Sequence, residues 1–314
     1  MAEYRLQIMG STIKQTSAIP HNQQGLQYSF SSLLKAPYNK GRFFFAIYRF
    51  CIWMFVQVFR VNNYRFSIWN NRKVFLSHHS LQSMWLMHNY WVDWEEYNLI
   101  KDIVNENDIV FDVGANIGLY SLWMSKFNPG GTVHSFEPDN NNYILLKKNI
   151  ELNELNNSVR INKTGIADTL GFLYFTKSID VQNHLTTEKM PDAVKIPVTT
   201  LDEYCNQNAI DKIRYIKIDI EGFELSALHG AQQLLSNGSI DVIQLEINNS
   251  LSNSGNSEDQ LVSWLDSFGY YLTSYNVKEN RLEKITFTQD RENYFAVRSV
   301  EVLNEQIKQH RFFN

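Results

Sequence analysis

Downstream of Trp94 the chain alternates short apolar runs with stretches in which apolar residues return every three or four positions. WEEYNLIKDIV, with Glu95 and Glu96 at its start, has helical spacing and predicts a helix. Ile109–Phe111 is a buried-strand run ending in Asp112-Val113-Gly114, and LYSLWMSKF behind it predicts another helix. Thr132–Phe136 repeats the pattern, closing on Glu137-Pro138, after which Asp139 can cap a helix through Tyr143, Leu146 and Ile150. Val159–Asn162 is a third strand, and Phe172–Thr176 with Ile196–Val198 alternate like an inserted antiparallel hairpin. Tyr215–Ile218 and Val242–Leu245 are the fourth and fifth buried strands, followed by the helices FELSALHGAQQLL and Glu258–Phe268. YYLTSYN from Tyr270 and NYFAV from Asn293 would complete the sheet as an antiparallel pair at one edge. Strands alternating with helices predict an α/β fold: a mostly parallel, seven-stranded sheet with helices on both faces.

The first 92 residues read differently. Residues 1–41 are Gln/Asn/Ser-rich, broken by Pro20 and Pro37, and are expected to be loosely ordered or peripheral. Phe43–Phe59 is the most hydrophobic stretch, but at 17 residues interrupted by Arg49 and Gln57 it is a poor membrane span. It predicts a helix packed on the main domain or on a second subunit, which makes a homodimer plausible, or one lying in a membrane interface between Lys35, Lys40, Arg42, Arg60 and Arg65. Asn62–Leu86 suggests short strands turning at Asn70-Asn71, with His78-His79 read as a loop pair. The expected division is thus an N-terminal extension, 1–92, and a main domain, 93–314.

Charge sharpens that division. Residues 1–92 hold ten of the 29 Lys/Arg but one of the 33 Asp/Glu, Glu3, so a basic front end precedes an acidic body. Two cysteines exclude a disulfide scaffold, and no nucleic-acid recognition motif accompanies the basic residues, so no nucleic-acid partner is expected. No Sec-type signal peptide fits, and the expected location is cytoplasmic, with at most peripheral membrane contact.

In a parallel α/β sheet ligands sit beyond the carboxyl ends of the strands. Four such ends carry acids: Asp112, Glu137, Asp219 and Glu246. Gly114-Ala115-Asn116-Ile117-Gly118 follows the first, and Glu137, at the next strand end, suits the two hydroxyls of a ribose. A dinucleotide loop would want a glycine at Asn116, and Asp112 beside the loop is unfavourable for a pyrophosphate. The same acids attract a cation, which favours S-adenosylmethionine, with its sulfonium and ammonium groups, over NAD(P).

VFDVGANIGLYSL, HSFEPDNNN, VTTLDEY, YIKIDIEGFELSALHGA and QLEI, in this order between Val110 and Ile247, resemble the FkbM family of S-adenosylmethionine-dependent methyltransferases. The resemblance implies a Rossmann-like class I methyltransferase fold and O-methylation of a hydroxyl on a sugar or other natural product. It also places Asp112, Gly114, Asn116, Gly118 and Glu137 along the donor, with Asn153 and Asp168 as further polar positions near its adenine; Asp219 is counted with the donor contacts too.

Methyl transfer to a hydroxyl is helped by a base. Asp219 is the first candidate, then Glu246 and His184. Glu221 has an ordinary alternative role at a helix N-terminus, and Glu224, with the same alternative, is left out of the chemistry. Asp219, Glu246 and Asn248 would offer three oxygens to a hard divalent ion, but acids are common at such strand ends, and no metal is assigned. The competing functions are an NAD(P)-dependent oxidoreductase and a non-catalytic protein of the same fold that docks on a membrane or partner.

Overall fold

The computed structural model describes residues 33, 39, 41–90, 93–175, 185–186, 193–248, 250–251 and 255–313. The chain divides into two compact units at Asp93. The expectations for residues 1–32 and for Lys35 and Lys40 lie outside the described residues.

In the first unit, helix α1 (Phe43–Val58) precedes the antiparallel hairpin β1 (Tyr64–Ile68) and β2 (Arg72–Leu76) and then helix α2 (Leu81–Asn89). Ser80 caps α2 by accepting the Ser83 N–H. Arg49, which interrupts the apolar run in sequence, is fully buried: its guanidinium donates to Asn39 Oδ1 and lies 4.9 Å from the Phe45 ring and 5.1 Å from that of Tyr90. Asn39 in turn donates to the carbonyls of Leu33 and His88.

The second unit opens with α3 (Trp94–Ile103) and then alternates strand and helix. Its elements are β3 (Ile109–Val113), α4 (Leu119–Phe127), β4 (Thr132–Phe136), α5 (Asn140–Leu152) and β5 (Val159–Asn162). A small sheet follows, built from β6 (Gly165–Ile166), β7 (Gly171–Phe175), β8 (Leu185–Thr186) and β9 (Val194–Thr199), in which β7 and β9 pair antiparallel as expected. Next come α6 (Leu201–Gln207), β10 (Ile213–Ile218), α7 (Glu224–His229), α8 (Gln232–Asn237), β11 (Ile240–Glu246) and α9 (Glu258–Ser267). The unit closes with β12 (Tyr271–Asn276), β13 (Arg281–Lys284), β14 (Asn293–Val297) and α10 (Val300–Phe313).

The main sheet runs β13-β12-β14-β11-β10-β3-β4-β5. The five strands from β11 to β5 pair parallel, while β14, β12 and β13 each pair antiparallel with their neighbours. This is the Rossmann-like methyltransferase architecture, with eight strands rather than seven. The chain turns back after Asn276 and adds Arg281–Lys284 as an outer strand. The two closing segments do pair with each other, but β14 inserts between β12 and β11 and is itself buried.

Strand alternation sorts the core onto two faces. On one, Phe111, Val113, Ile216, Ile218, Ile243 and Leu245 pack with Leu201, Leu225, Leu228, Leu234 and Leu261 from α6 to α9. The other carries Asp112, Tyr215, Lys217, Gln244 and Glu246, opposite α3 and α4. There Tyr97, Tyr120 and Trp123 pack ring against ring, and the Trp123 indole donates to the Tyr97 carbonyl at 2.8 Å. One face is therefore dry and the other polar. Ile216 lies at the centre of the dry face, in register with Phe111 and Ile243. Ile216→Ala is expected to lower unfolding free energy by about 2–5 kcal/mol in denaturant titration; a loss under about 1 kcal/mol would show that this face is not the core.

Candidate functional site

The loop after β3 is held from three sides. The N–H groups of Gly114 and Ala115 donate to the Phe136 carbonyl, at 3.1 and 2.9 Å. Gly114 has φ +82°, and a Cβ there would lie 1.9 Å from the Asp219 carbonyl oxygen, so only glycine lets the loop pass the end of β10. Gly118, at φ +91°, opens α4, and a Cβ on it would meet Leu146 Cδ1 at 2.5 Å. From α5, Asn149 donates to the Ile117 carbonyl at 2.8 Å. Asn116 also adopts positive φ, +49°, and its N–H donates to Glu137 Oε2 at 2.8 Å.

Glu137 thus braces the loop. Its other oxygen accepts the Asp139 N–H at 2.8 Å, and Asp139 caps α5 as expected. Burial pushes the Glu137 carboxyl up to about 8, against the pull of those two N–H groups. In its ionised form each oxygen keeps a second lone pair, which is what a ribose diol needs.

Asp112 is completely buried. One oxygen accepts the Ser121 hydroxyl at 2.6 Å, while no protein hydrogen bond reaches Oδ1. Burial raises its carboxyl, opposed by the Lys217 charge and by Ser121. Lys217, in register with Asp112 across the β3/β10 pair, donates to Asp219 Oδ2 at 2.8 Å and lies 4.8 Å from the Tyr120 ring. Burial disfavours its ammonium, but Asp219, Asp112 and Asp93 outweigh that and hold it above the usual lysine range. Beneath it a chain of hydrogen bonds runs from Tyr215 to Gln244, Tyr120 and Asp93, with steps of 2.7, 2.9 and 2.7 Å.

Beyond the ends of β10 and β11, Asp219, Glu221 and Glu246 bring carboxylate oxygens within 4.8 Å of one another. Burial alone would raise Asp219; Lys217 and a hydrogen bond from Glu246 hold it below the usual carboxylate range. Burial and the Asp219 charge push Glu246 and Glu221 up, so the cluster keeps one ionised member and protons on its neighbours. Glu221 does not serve a helix N-terminus. It sits at φ +54° in the turn, and Glu224, left out of the chemistry in the sequence reading, takes the bracing role by accepting the Ile220 and Gly222 N–H groups at 2.9 and 3.2 Å. Glu221 completes an oxygen trio with Asp219 and Glu246 that could hold a divalent ion, and the Asn248 amide donates to Glu246 at 2.8 Å.

The structure therefore brings together Asp112, Gly114, Asn116, Gly118, Glu137, Asp219 and Glu246. Asn153 caps α5 one turn beyond the loop-holding Asn149, to whose carbonyl it donates at 2.7 Å. Asp168 is exposed; its N–H donates to Ser226 Oγ, and it lines an open cleft with Thr200, Asp202 and His229. His184 lies outside the described residues. Lys217, Asp93 and Tyr120 were missed; the signal for Lys217 was a cation in the middle of an apolar strand.

The raised acids fix the sign of a pH response. Glu137 and Glu221 keep their protons to about 8 when folded, against an ordinary value of 4.5, so the unfolded chain sheds them first as pH rises. Their stabilisation is full below about 4.5 and is lost on the way to about 8. The thermal midpoint is expected to fall between pH 5.5 and 8.5, and to fall less in Glu246→Gln, whose amide can still donate to Asp219. A flat or rising profile in scanning calorimetry would contradict these assignments.

Comparison with known proteins agrees with this geometry. The profile described as the methyltransferase FkbM domain matches residues 112–272, half of the chain. Methyltransferase sdnD of Sordaria araneosa is 28% identical, covering 42% of this chain and 64% of that one, so the chain spans less than two thirds of this relative. Hexuronic acid methyltransferase AglP of Haloferax volcanii is 23% identical, over 53% of this chain and 67% of its own. The 31-O-demethyl-FK506 methyltransferase FkbM of Streptomyces tacrolimicus is 26% identical, over 40% and 60%. The donor in this family is S-adenosylmethionine. The site suits it, with a glycine cradle, a ribose-type acceptor in Glu137, and a buried Asp112 oxygen without a protein partner. With this loop, these acids and this match, the chain belongs to the FkbM methyltransferase family.

Proposed function

We propose that the protein is an S-adenosylmethionine-dependent O-methyltransferase acting on a hydroxyl of a sugar or another natural-product small molecule. The observation that carries this reading is Asp219, bonded by the buried Lys217 at 2.8 Å and set within an acid cluster immediately beside the Glu137-braced loop. Two relatives point the same way, since one is a hexuronic acid methyltransferase and the other a methyltransferase of an O-demethyl compound.

Bound S-adenosylmethionine supplies an electrophilic methyl group. Glu137 would receive the ribose hydroxyls, and Gly114, Asn116 and Gly118 would let backbone rather than side chains line its path. Asp112 lies at the foot of the loop, where its unpartnered Oδ1 could accept from the donor's ammonium. Asp219 would be the base, accepting the acceptor hydroxyl's proton as the methyl group leaves the donor's sulfur, which departs as the neutral thioether, for that oxygen. Lys217 lessens its basicity but keeps it charged, and Glu246 fixes its orientation through a shared hydrogen bond. Positioning of the two reactants can contribute about 7–11 kcal/mol, and the base a factor of roughly 10²–10⁴ in rate. An NAD(P) oxidoreductase is disfavoured because Asn116 occupies the position where a pyrophosphate needs glycine.

Calorimetric titration with S-adenosylhomocysteine tests the reading. The folded chain is expected to bind it, and Gly114→Ala to lose that binding by about 100-fold or more, because the added Cβ collides with backbone. With labelled donor and a panel of hexuronic acids and hydroxylated macrolides, Asp219→Asn should transfer methyl roughly 10²–10⁴ times more slowly. No heat from a folded sample would end the proposal.

A further inference from the structure

Helix α1 is amphipathic in the wrong sense for water. Its inward face buries Ala46, Arg49, Ile52, Trp53 and Val56, so the helix's one internal charge is on the dry side. Its outward face carries Phe44, Tyr48, Cys51, Phe55 and Val58, with Phe59 just beyond the last turn. The spacing is four, three, four, three, which puts these residues in a single stripe. Phe44 is 85% exposed and Phe59 68%. No charge interrupts the stripe; exposed Arg42 and Arg60 stand at its two ends, with Arg65 on the adjoining strand β1. The helix spans about 24 Å at 1.5 Å per residue, and no helix among the described residues is long and apolar enough to cross a membrane.

We infer that this stripe is a docking surface for an anionic lipid membrane, with α1 lying in the plane of the interface. The aromatic rings enter the headgroup boundary, and the terminal arginines meet lipid phosphates. Charge selects this occupant over a second copy of the chain. Residues 41–90 hold six Lys/Arg and no Asp or Glu, so an isologous pairing of two such helices would bring like-charged arginine ends together. An anionic surface complements the exposed Arg42, Arg60 and Arg65 that flank the stripe.

Cys51 lies within the stripe and is exposed, whereas Cys205 is buried, its thiol pushed up to about 12 by burial. An environment-sensitive fluorophore on Cys51 of the full chain therefore reports on this face. Vesicles of phosphatidylglycerol and phosphatidylcholine should blue-shift the label, and pure phosphatidylcholine should do so at least ten times less effectively. In co-sedimentation, Phe44→Ser/Phe55→Ser/Phe59→Ser should weaken partition into the anionic vesicles at least tenfold, and Arg42→Gln/Arg60→Gln/Arg65→Gln at least threefold at low salt. The proposal is overturned if the unsubstituted labelled chain gives no shift with anionic vesicles. It is equally overturned if the label is already in an apolar environment without lipid and the chain sediments as a dimer, since a second copy would then be the occupant. The labelled, unsubstituted chain decides the matter even if a triple variant fails to fold.

Discussion

The site depends on one buried positive charge. Four acids, Asp112, Asp219, Glu221 and Glu246, crowd the ends of β3, β10 and β11, and like charges at that spacing in a low dielectric cannot all ionise. Lys217 resolves the conflict unequally. Its ammonium is spent on Asp219, directly, and on Asp112, across the strand pair, while Glu221 and Glu246 keep their protons. The outcome is one carboxylate, Asp219, ready to accept a proton, beside an Asp112 whose carboxyl burial raises and Lys217 pulls back. Removing the lysine would leave buried charge without a counter-charge, a defect that typically costs several kcal/mol.

Backbone constraints turn this electrostatic arrangement into a geometry. Gly114 lets the donor loop lie against the Asp219 carbonyl, and Gly222, where a Cβ would lie 2.1 Å from the Ser250 carbonyl, lets the turn after β10 close on the segment after β11. Glu137 and Glu224 play matching parts, each using carboxylate oxygens to hold the N–H groups of a tight turn. Loop and acid cluster therefore share backbone contacts, and a change in one reaches the other without crossing solvent.

Much of this was legible in the sequence because strand ends in a parallel sheet announce themselves. Asp112, Glu137, Asp219 and Glu246 each terminate an apolar run, and the glycine spacing after Asp112 marks the turn. What stayed hidden depends on contacts between segments distant in sequence. Glu221 and Glu224 are three residues apart in one turn, and local pattern cannot say which of them braces the backbone. The eighth strand follows a loop with no strong β signal and is fixed by pairing with β12. Arg49 interrupts an apolar helix in sequence yet is its most completely buried polar side chain, because Asn39, Phe45 and Tyr90 surround it.

The most direct test of the central claim is the ionisation of Asp219 itself, followed by carboxyl carbon NMR in selectively labelled protein, with Asp219→Asn to assign the signal. The account predicts that Asp219 stays ionised from pH 5 to 8 in the unaltered chain and takes up a proton within that range in Lys217→Met. A signal that titrates identically in both proteins would show that Lys217 does not set the charge of the site.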